Sequence, residues 1–300
     1  MATYHPGVEQ APILRPLGIG DIVDRVFGMY RAQPLLFLVV SAIPYLVLAI
    51  GVAVLGVGFV GALAARLGGS TVVADRLDPE LIAAGLIFVL VFFAIAIVVF
   101  SIQSAALVHA ASERYHGRET TIRESLRVGL RASPRLIVAG ILAFLGLLIV
   151  PTAVIVAAAL TQQALVLVPA TFAALLLFFF LITSWMLVPV VATVEGAGPV
   201  RSLIRSWRLT SGSRWRVLGL LSLLVVLQVV IGIVFAFVFL ASFIADPLAR
   251  TVLQQAANLV ANVVWAPVQW GTFTVLYYDT RVRREAYDLS LAAEALTRGS

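Results

Sequence analysis

Six long segments of the chain contain no Asp, Glu, Lys or Arg, and each is 25 to 31 residues long. A helix needs about 20 apolar residues to cross the hydrocarbon core of a bilayer. The segments are continuously apolar rather than alternating, which favours helices over the strands of a membrane barrel. The sequence therefore predicts an all-α, polytopic membrane protein with six transmembrane helices. The predicted spans are Leu35–Ala65, Leu81–Ala111, Leu136–Leu160, Ala164–Val194, Val217–Ala245 and Thr251–Tyr278.

An amphipathic stretch precedes the first, third and fifth spans. The three stretches are Leu17–Gln33, Thr121–Ser133 and Pro199–Thr210. Apolar residues recur in them at helical spacing, a pattern typical of a helix that lies in the plane of the membrane surface. The order of elements predicts three hairpins of two spans, each preceded by such an interfacial helix. The apolar faces are Ile19, Ile22, Val23, Val26, Phe27 and Tyr30, then Ile122, Leu126 and Leu130, then Val200, Leu203, Ile204 and Trp207.

Local sequence signals support the starts of two of these helices. Thr121 with Glu124 forms a capping-box pattern, and Pro199 suits the first position of a helix. We expect a polar N-terminal arm over residues 1–16, a six-helix domain over residues 17–278 and a tail over residues 279–300, where a short helix could begin at Asp288 or Ser290.

Arg residues share one face of each amphipathic stretch and are candidate contacts for lipid head groups. An Arg near an anionic leaflet contributes about 1 kcal/mol to surface binding. Two interpretations remain open: the rows anchor the topology, or they form a specific head-group site or a docking surface for a cytoplasmic or membrane protein partner. The candidates are Arg31, Arg123, Arg127, Arg131, Arg201, Arg205 and Arg208.

Charge placement predicts how the protein sits in the membrane. Only 12% of residues are charged, against about 25% in soluble domains, and all 21 basic residues are Arg. With six spans, 18 Arg fall on the side that contains both termini, which we call the Arg-rich side, and three fall opposite. Positively charged loops stay in the cytoplasm. The sequence thus predicts a multi-pass cell-membrane protein with both termini cytoplasmic and anionic lipids, not nucleic acid, as partners.

The sixth span contains a stripe of polar and aromatic side chains. They recur at steps of three and four residues, so they share one helix face that should turn away from lipid. The stripe either forms hydrogen bonds between helices or lines a cavity for a lipid head group or small polar solute. It consists of Gln255, Asn258, Asn262, Trp265 and Gln269, and candidate facing groups are Ser101, Ser104, Thr183, Ser184 and Gln228.

The residue types and motifs of the sequence give little support for a catalytic or metal-binding site. Cys is absent and the three His residues are widely separated, which argues against a metal centre. The chain contains no Gly-x-Ser-x-Gly elbow, no His-Glu-x-x-His sequence and no Walker loop. The spans contain no charged residue, which argues against a proton-coupled transporter. We therefore expect a non-enzymatic protein without a cofactor.

Three sequence segments resemble a known family. They are LGIGDIVDRVFGMYR, RSWRLTSGSRWRVLGLL and LYYDTRVRREAYDL, and the similarity extends over about Leu17–Leu296. The chain resembles the membrane domain of glycerophosphoryl diester phosphodiesterases. In some members of that family the membrane module is fused to a soluble catalytic barrel, which this chain lacks. The resemblance therefore implies the membrane module alone and transfers no catalytic residue.

These observations lead to one expected function and two alternatives. The expectation is an integral membrane scaffold or accessory protein whose interfacial Arg helices contact anionic lipid. The first alternative is a transporter of lipid or a small polar solute that uses the polar face of the sixth span. The second is the membrane subunit of a phosphodiesterase whose catalytic domain is a separate chain.

Overall fold

Helices make up nearly all of the computed structural model, which describes residues 17–67, 79–243 and 246–285. No strand occurs in these ranges, and six helices are long and apolar enough to cross a membrane, as predicted. The helices are α1 (Ile19–Ala32), α2 (Pro34–Leu67), α3 (Pro79–Tyr115), α4 (Ile122–Ala159), α5 (Ala164–Trp185), α6 (Val188–Val194), α7 (Pro199–Thr210), α8 (Arg214–Ser242) and α9 (Pro247–Glu285).

The start of α4 confirms the predicted capping signal. The Thr121 hydroxyl accepts a hydrogen bond from the backbone N–H of Glu124 at 3.2 Å. The second amphipathic stretch does not form a separate helix, however. It continues through Pro134 into the third span as one helix of 38 residues. A proline inside a helix removes a single backbone hydrogen bond, and here that loss does not end the helix.

The fourth predicted span is broken near its Arg-rich end. Helix α5 ends at Trp185, and α6 resumes at Val188 with Pro189 in its first turn. The ring of Pro189 would clash with the Trp185 carbonyl in a continuous helix, and proline also lacks the N–H that such a helix would use. The short helix α6 is fully packed, because Val190 and Val191 have no exposed surface.

The core lies at the Arg-rich ends of the helices. Its main cluster joins α1, α6, α8 and α9, and includes the fully buried Ile22, Leu187, Leu220 and Leu276. The middles of the long helices instead present apolar side chains outward, such as Phe237, which is 69% exposed. A soluble protein rarely exposes apolar surface of this extent, whereas a surface of this kind suits the hydrocarbon of a bilayer.

Helix α9 is the central packing element. It contacts α1, α2, α3 and α8 along its length and continues past the predicted end of the span at Tyr278 to Glu285. The predicted N-terminal arm over residues 1–16 lies outside the described residues, as does the predicted terminal helix, which would begin beyond residue 285.

Small residues bring α3 and α4 close together. A Cβ atom placed on Gly129 would lie 2.5 Å from the backbone oxygen of Ile102, so only glycine fits this crossing. Ser125, Ala132 and Ser133 are also buried on this face of α4. Close approach through small side chains is typical of helix pairs in membranes.

Candidate functional site

Helix α7 packs on the protein chiefly through hydroxyl-bearing residues, while its predicted apolar face is only half covered, at Leu203 and Trp207. Ser202, Ser206 and Thr210 are buried, and the Ser206 hydroxyl donates to the backbone oxygen of Ser184 at 2.8 Å. The apolar residues Val200 and Ile204 are 59% and 48% exposed. The sequence pattern alone could not show which of these two faces packs on the protein, because the spacing of apolar residues does not reveal what contacts them.

The exposed side of α7 combines apolar and basic groups. Arg201 and Arg208 are exposed beside Val200 and Ile204. Among the described residues, neither guanidinium forms an ion pair. Exposed apolar residues beside unpaired cations are typical of amphipathic helices at membrane surfaces.

The beginning of α4 has the same character. Arg123, Arg127 and Arg131 are exposed, and no carboxylate in the described part of the chain pairs with them. Leu130, from the predicted apolar stripe, is 60% exposed. Ile122 and Leu126 of the same stripe are half-buried against a cluster of residues from α2, α3 and α9. Leu130 and the Arg row therefore remain accessible to a membrane surface, while the small residues face α3.

Helix α1 differs from the other two amphipathic stretches. Its predicted apolar face packs on the protein, with Ile22 fully buried and Val26 2% exposed against Gly271 of α9. The expectation that this face enters the membrane is therefore wrong for its centre, because α9 already covers it. Arg31 is exposed and donates from Nε to the Phe27 backbone oxygen at 3.3 Å.

Arg205 forms ion pairs within the protein instead of remaining free for lipid. Its Nε donates to Glu195 at 3.0 Å and its Nη2 donates to Glu285 of α9 at 2.8 Å. These hydrogen bonds, chiefly the one to Glu285, raise the pKa of the guanidinium further above its ordinary value. A cavity of about 270 Å³ lies beside this group and is also lined by Arg201, Ile204 and Arg208. The prediction that Arg205 is a free contact for lipid head groups is therefore wrong, because Glu195 and Glu285 already pair with it.

Sequence reasoning missed a buried ionic centre at Asp279. The Asp279 carboxylate accepts hydrogen bonds from the Leu17 backbone N–H at 2.7 Å and from Arg283 Nε at 3.0 Å. Arg216 of α8 forms an ion pair with the same carboxylate, whose side chain is fully buried. Arg216 and Arg283 also donate to the Leu17 backbone oxygen. This centre ties together the three segments on which the family resemblance rests.

A small aromatic cluster borders this centre. The rings of Tyr115 and Tyr278 stack with centroids 4.6 Å apart, and the Tyr278 hydroxyl lies 2.6 Å from that of Ser112. The His116 ring packs edge-on against Tyr278, and burial lowers the pKa of His116 below its ordinary value. Among the described residues, no group of His and carboxylate side chains could hold a metal ion. Ring stacking and the Ser112–Tyr278 hydrogen bond make the cluster a tightly packed element at the end of α3.

The predicted polar stripe of α9 divides into two parts. Gln255, Asn258 and Asn262 line a cavity of about 780 Å³ between α2 and α9. Trp265 is instead 7% exposed within the main core, and Gln269 is half-buried.

The amides line a cavity, as one interpretation expected, but among the described residues they do not form the hydrogen bonds to another helix that the other expected, and the partners of Asn258 and Asn262 lie within α9. The amide nitrogens of Asn258 and Asn262 donate to backbone oxygens one turn earlier in α9, at 3.1 and 2.8 Å, rather than to another helix. The opposite wall comes from α2, through Tyr45, Leu48 and Ala49. None of the predicted facing groups lines this cavity.

Comparison with known proteins gives a family but no activity. Residues 114–280 match the model of a domain of unknown function, DUF7847. This range extends from the end of α3 through most of α9, so it includes the Arg rows of α4 and α7 and the polar wall of the cavity. No curated protein and no solved structure matches the chain. None of these findings links it to the phosphodiesterase membrane domain, so that resemblance stays a prediction. Since the match covers more than half of its residues, the chain belongs to the DUF7847 family.

Proposed function

We propose that this protein is a non-enzymatic membrane scaffold or accessory protein whose Arg-rich side contacts anionic phospholipid from the cytoplasm. The observation that supports this proposal is the outward face of α7 and of the first turns of α4. There, free Arg side chains lie beside exposed apolar residues, Val200 and Ile204 on α7 and Leu130 on α4, while small and hydroxyl-bearing residues pack on the protein.

The spans pair as three hairpins in this proposal. The pairs are α2 with α3, α4 with α5, and α8 with α9, and the members of each pair contact one another. Helix α1, the start of α4 and helix α7 then occupy equivalent positions before each pair. Only the second and third of these retain an exposed basic and apolar face, so we assign lipid contact to them and a packing role to most of α1.

The exposed cations are enough for a measurable lipid preference. Each Arg near an anionic leaflet contributes about 1 kcal/mol, reduced by salt. We assign the contact to the five free Arg side chains of the two exposed rows. They are Arg123, Arg127, Arg131, Arg201 and Arg208.

Lipid selectivity in reconstituted vesicles tests this proposal. Spin-labelled phosphatidylglycerol should associate with the wild-type protein more strongly than spin-labelled phosphatidylcholine, as measured by the immobilised component of the electron paramagnetic resonance spectrum. Replacing all five Arg by Gln should remove most of this preference. The matched control replaces the same five by Lys and should retain it, since the charge is kept. An unchanged preference in the Gln variant would contradict the proposal.

A photo-crosslinking residue at Val200 tests the scaffold role. Val200 is 59% exposed next to Arg201 in the first turn of α7. Recovery of one protein in stoichiometric amount supports a scaffold, and loss of that product in the Arg201→Gln and Arg208→Gln variant would place the contact on this face. Crosslinks to lipid alone would contradict the scaffold role and leave the lipid contact standing.

The cavity between α2 and α9 favours a second candidate function, the movement of lipid or a small polar solute. Its wall combines amide groups with apolar side chains, which suits an amphiphile. Vesicles with fluorescent phosphatidylglycerol report transbilayer movement through bleaching by dithionite. Replacing Asn258 and Asn262 by Leu should return the rate to that of protein-free vesicles without lowering the unfolding temperature. The control Val260→Leu, on an exposed face of α9, should keep the wild-type rate. Equal rates with and without the amides would exclude this candidate.

A further inference from the structure

A groove between α5 and α8 lies outside both sites described above. It encloses about 430 Å³ at the Arg-rich ends of these two helices. Both helices are long and apolar enough to span the membrane, so the groove opens sideways toward lipid. Its lining residues are Leu176, Phe179, Phe180, Thr183, Gly212, Arg214, Trp215 and Leu218.

Arg214 forms the polar end of the groove and is held in a defined position. Its guanidinium lies over the Phe180 ring, 4.2 Å from the centroid, and 5.2 Å from the centroid of Trp207. Its Nε donates to the Ser184 hydroxyl at 3.2 Å. Within the described part of the chain, no carboxylate pairs with it. A partly buried cation that is oriented but not neutralised favours an anionic ligand.

A second cation lies next to the same end. Arg284 of α9 donates from Nη1 to the Arg208 backbone oxygen and to the Ser211 hydroxyl, at 3.2 and 3.1 Å. Its Nη2 lies 2.6 Å from the position that a Cβ atom would take on Gly212, a lining residue with φ of +78°. No ion pair of Arg284 occurs among the described residues. Two guanidinium groups therefore bring uncompensated positive charge to one end of an otherwise apolar groove.

The other end of the groove suits hydrocarbon. Leu176 and Phe179 of α5 are 55% and 44% exposed, and Leu218 faces them from α8. Trp215 is 87% exposed beside Arg214. Trp is enriched where the hydrocarbon of a bilayer meets its head groups, so it marks the depth at which a lipid phosphate would lie.

We propose that this groove is a specific site for one anionic phospholipid. The guanidinium groups of Arg214 and Arg284 bind the phosphate, and one acyl chain lies between α5 and α8 against Leu176, Phe179 and Leu218. The charge at one end and the apolar walls along the rest match the two parts of a phospholipid and no smaller anion. This inference deepens the proposed lipid contact, but it uses residues outside the five free Arg side chains of the exposed rows.

Native mass spectrometry of the full chain in detergent, titrated with phosphatidylglycerol, tests the site. We expect one lipid to be retained at concentrations where further lipids dissociate. Arg214→Gln should weaken this binding about tenfold or more, because it removes charge-assisted hydrogen bonds to phosphate. The matched control Arg31→Gln removes an exposed Arg of α1, outside the groove and outside the two exposed rows, and should bind as the wild type does. Equal retention by the Arg214→Gln variant would overturn the proposal.

A second variant keeps the test decisive if Arg214→Gln disturbs folding. Leu218→Trp fills the apolar part of the groove and leaves both cations in place, so it should also lose the retained lipid. Retention by this variant would overturn the assigned acyl-chain position. Glycerol 3-phosphate at millimolar concentration should not displace the lipid. Displacement would show a site for free phosphate instead, and equally tight phosphatidylcholine would overturn the preference for an anionic lipid.

The outcome is separable from that of the proposed surface contact. The variant with five Gln substitutions in the exposed rows should lose its lipid selectivity in vesicles and still retain the single lipid of this groove. Loss of the retained lipid in that variant would overturn a separate site. Conversely, the Arg214→Gln variant should keep most of the vesicle selectivity.

Discussion

At the scale of single residues, Asp279 joins three segments of the Arg-rich side. Its fully buried carboxylate meets Arg216, Arg283 and the backbone N–H of Leu17. We expect Asp279→Asn, which keeps the size of the side chain, to lower the free energy of unfolding by about 2 kcal/mol, because two cations lose their counter-charge. Thermal unfolding in detergent, followed by circular dichroism, measures this loss.

Hydrogen exchange adds a local measurement to this prediction. The carboxylate holds Leu17, two residues before α1, so exchange in α1 should accelerate in Asp279→Asn more than exchange in α3. The control Asp24→Asn changes an exposed carboxylate of α1 and should alter neither measurement. A wild-type unfolding temperature in Asp279→Asn would show that the ionic centre contributes specificity but little stability.

At the scale of elements, the α3–α4 crossing depends on one glycine. A Cβ atom on Gly129 would lie 2.5 Å from the Ile102 backbone oxygen, whereas one on Gly140 of the same helix would meet nothing within 4 Å. Gly129→Ala should therefore destabilise the protein by about 1 to 3 kcal/mol through overpacking. Gly140→Ala is the matched control and should be neutral or slightly stabilising, since alanine favours a helix. Thermal unfolding of the two variants decides between these outcomes.

We expect the stability of the protein to depend on pH through His116, which lies in the turn after α3. Burial lowers the pKa of this ring below its ordinary value of 6.5, and Arg118 and Arg281 act in the same direction, whereas the hydrogen bond to the Ser112 backbone oxygen and the Glu113 carboxylate oppose them. The unfolded chain then binds a proton at higher pH than the folded protein does. Stability should fall as the pH drops below about 6.5, until the lowered pKa is reached. His116→Asn should reduce the difference in unfolding temperature between about pH 7.5 and pH 5.5; an identical difference would contradict the assignment.

The amphipathic stretches show what a sequence pattern can predict about an element. The start of α4 at Ile122 followed from Thr121 and Glu124, because a capping interaction is local. The pattern could not predict whether lipid or protein contacts each apolar face, because the spacing of apolar residues is the same in both cases. Ile22 of α1 is covered by protein, whereas Ile204 of α7 is exposed. For the same reason, the polar stripe could not be divided beforehand between the core at Trp265 and the cavity at Asn258.

At the scale of the whole molecule, the six apolar helices were predictable but the ionic centre was not. Charge-free segments longer than a bilayer define spans without any tertiary information. The contact of Leu17 with Asp279 joins residues 262 positions apart. No local pattern encodes such a pairing. The sequence shows a carboxylate directly after the aromatic end of the sixth span, followed within five residues by three Arg, but it does not show their partners in α8 and at Leu17.

The predicted orientation of the whole molecule rests on the same Arg distribution and has a direct test. The chain has no Cys, so a single introduced cysteine reports its own location. Glu119→Cys lies in the exposed turn between α3 and α4, and Gln163→Cys lies in the exposed turn between α4 and α5, at the opposite end of α4. Because Arg-rich loops remain in the cytoplasm, a membrane-impermeant maleimide added to intact cells should label Gln163→Cys and leave Glu119→Cys unlabelled until the membrane is permeabilised. The reverse pattern would place the Arg rows of α4 and α7 outside the cell. Labelling of both cysteines in intact cells would contradict a helix α4 that crosses the membrane.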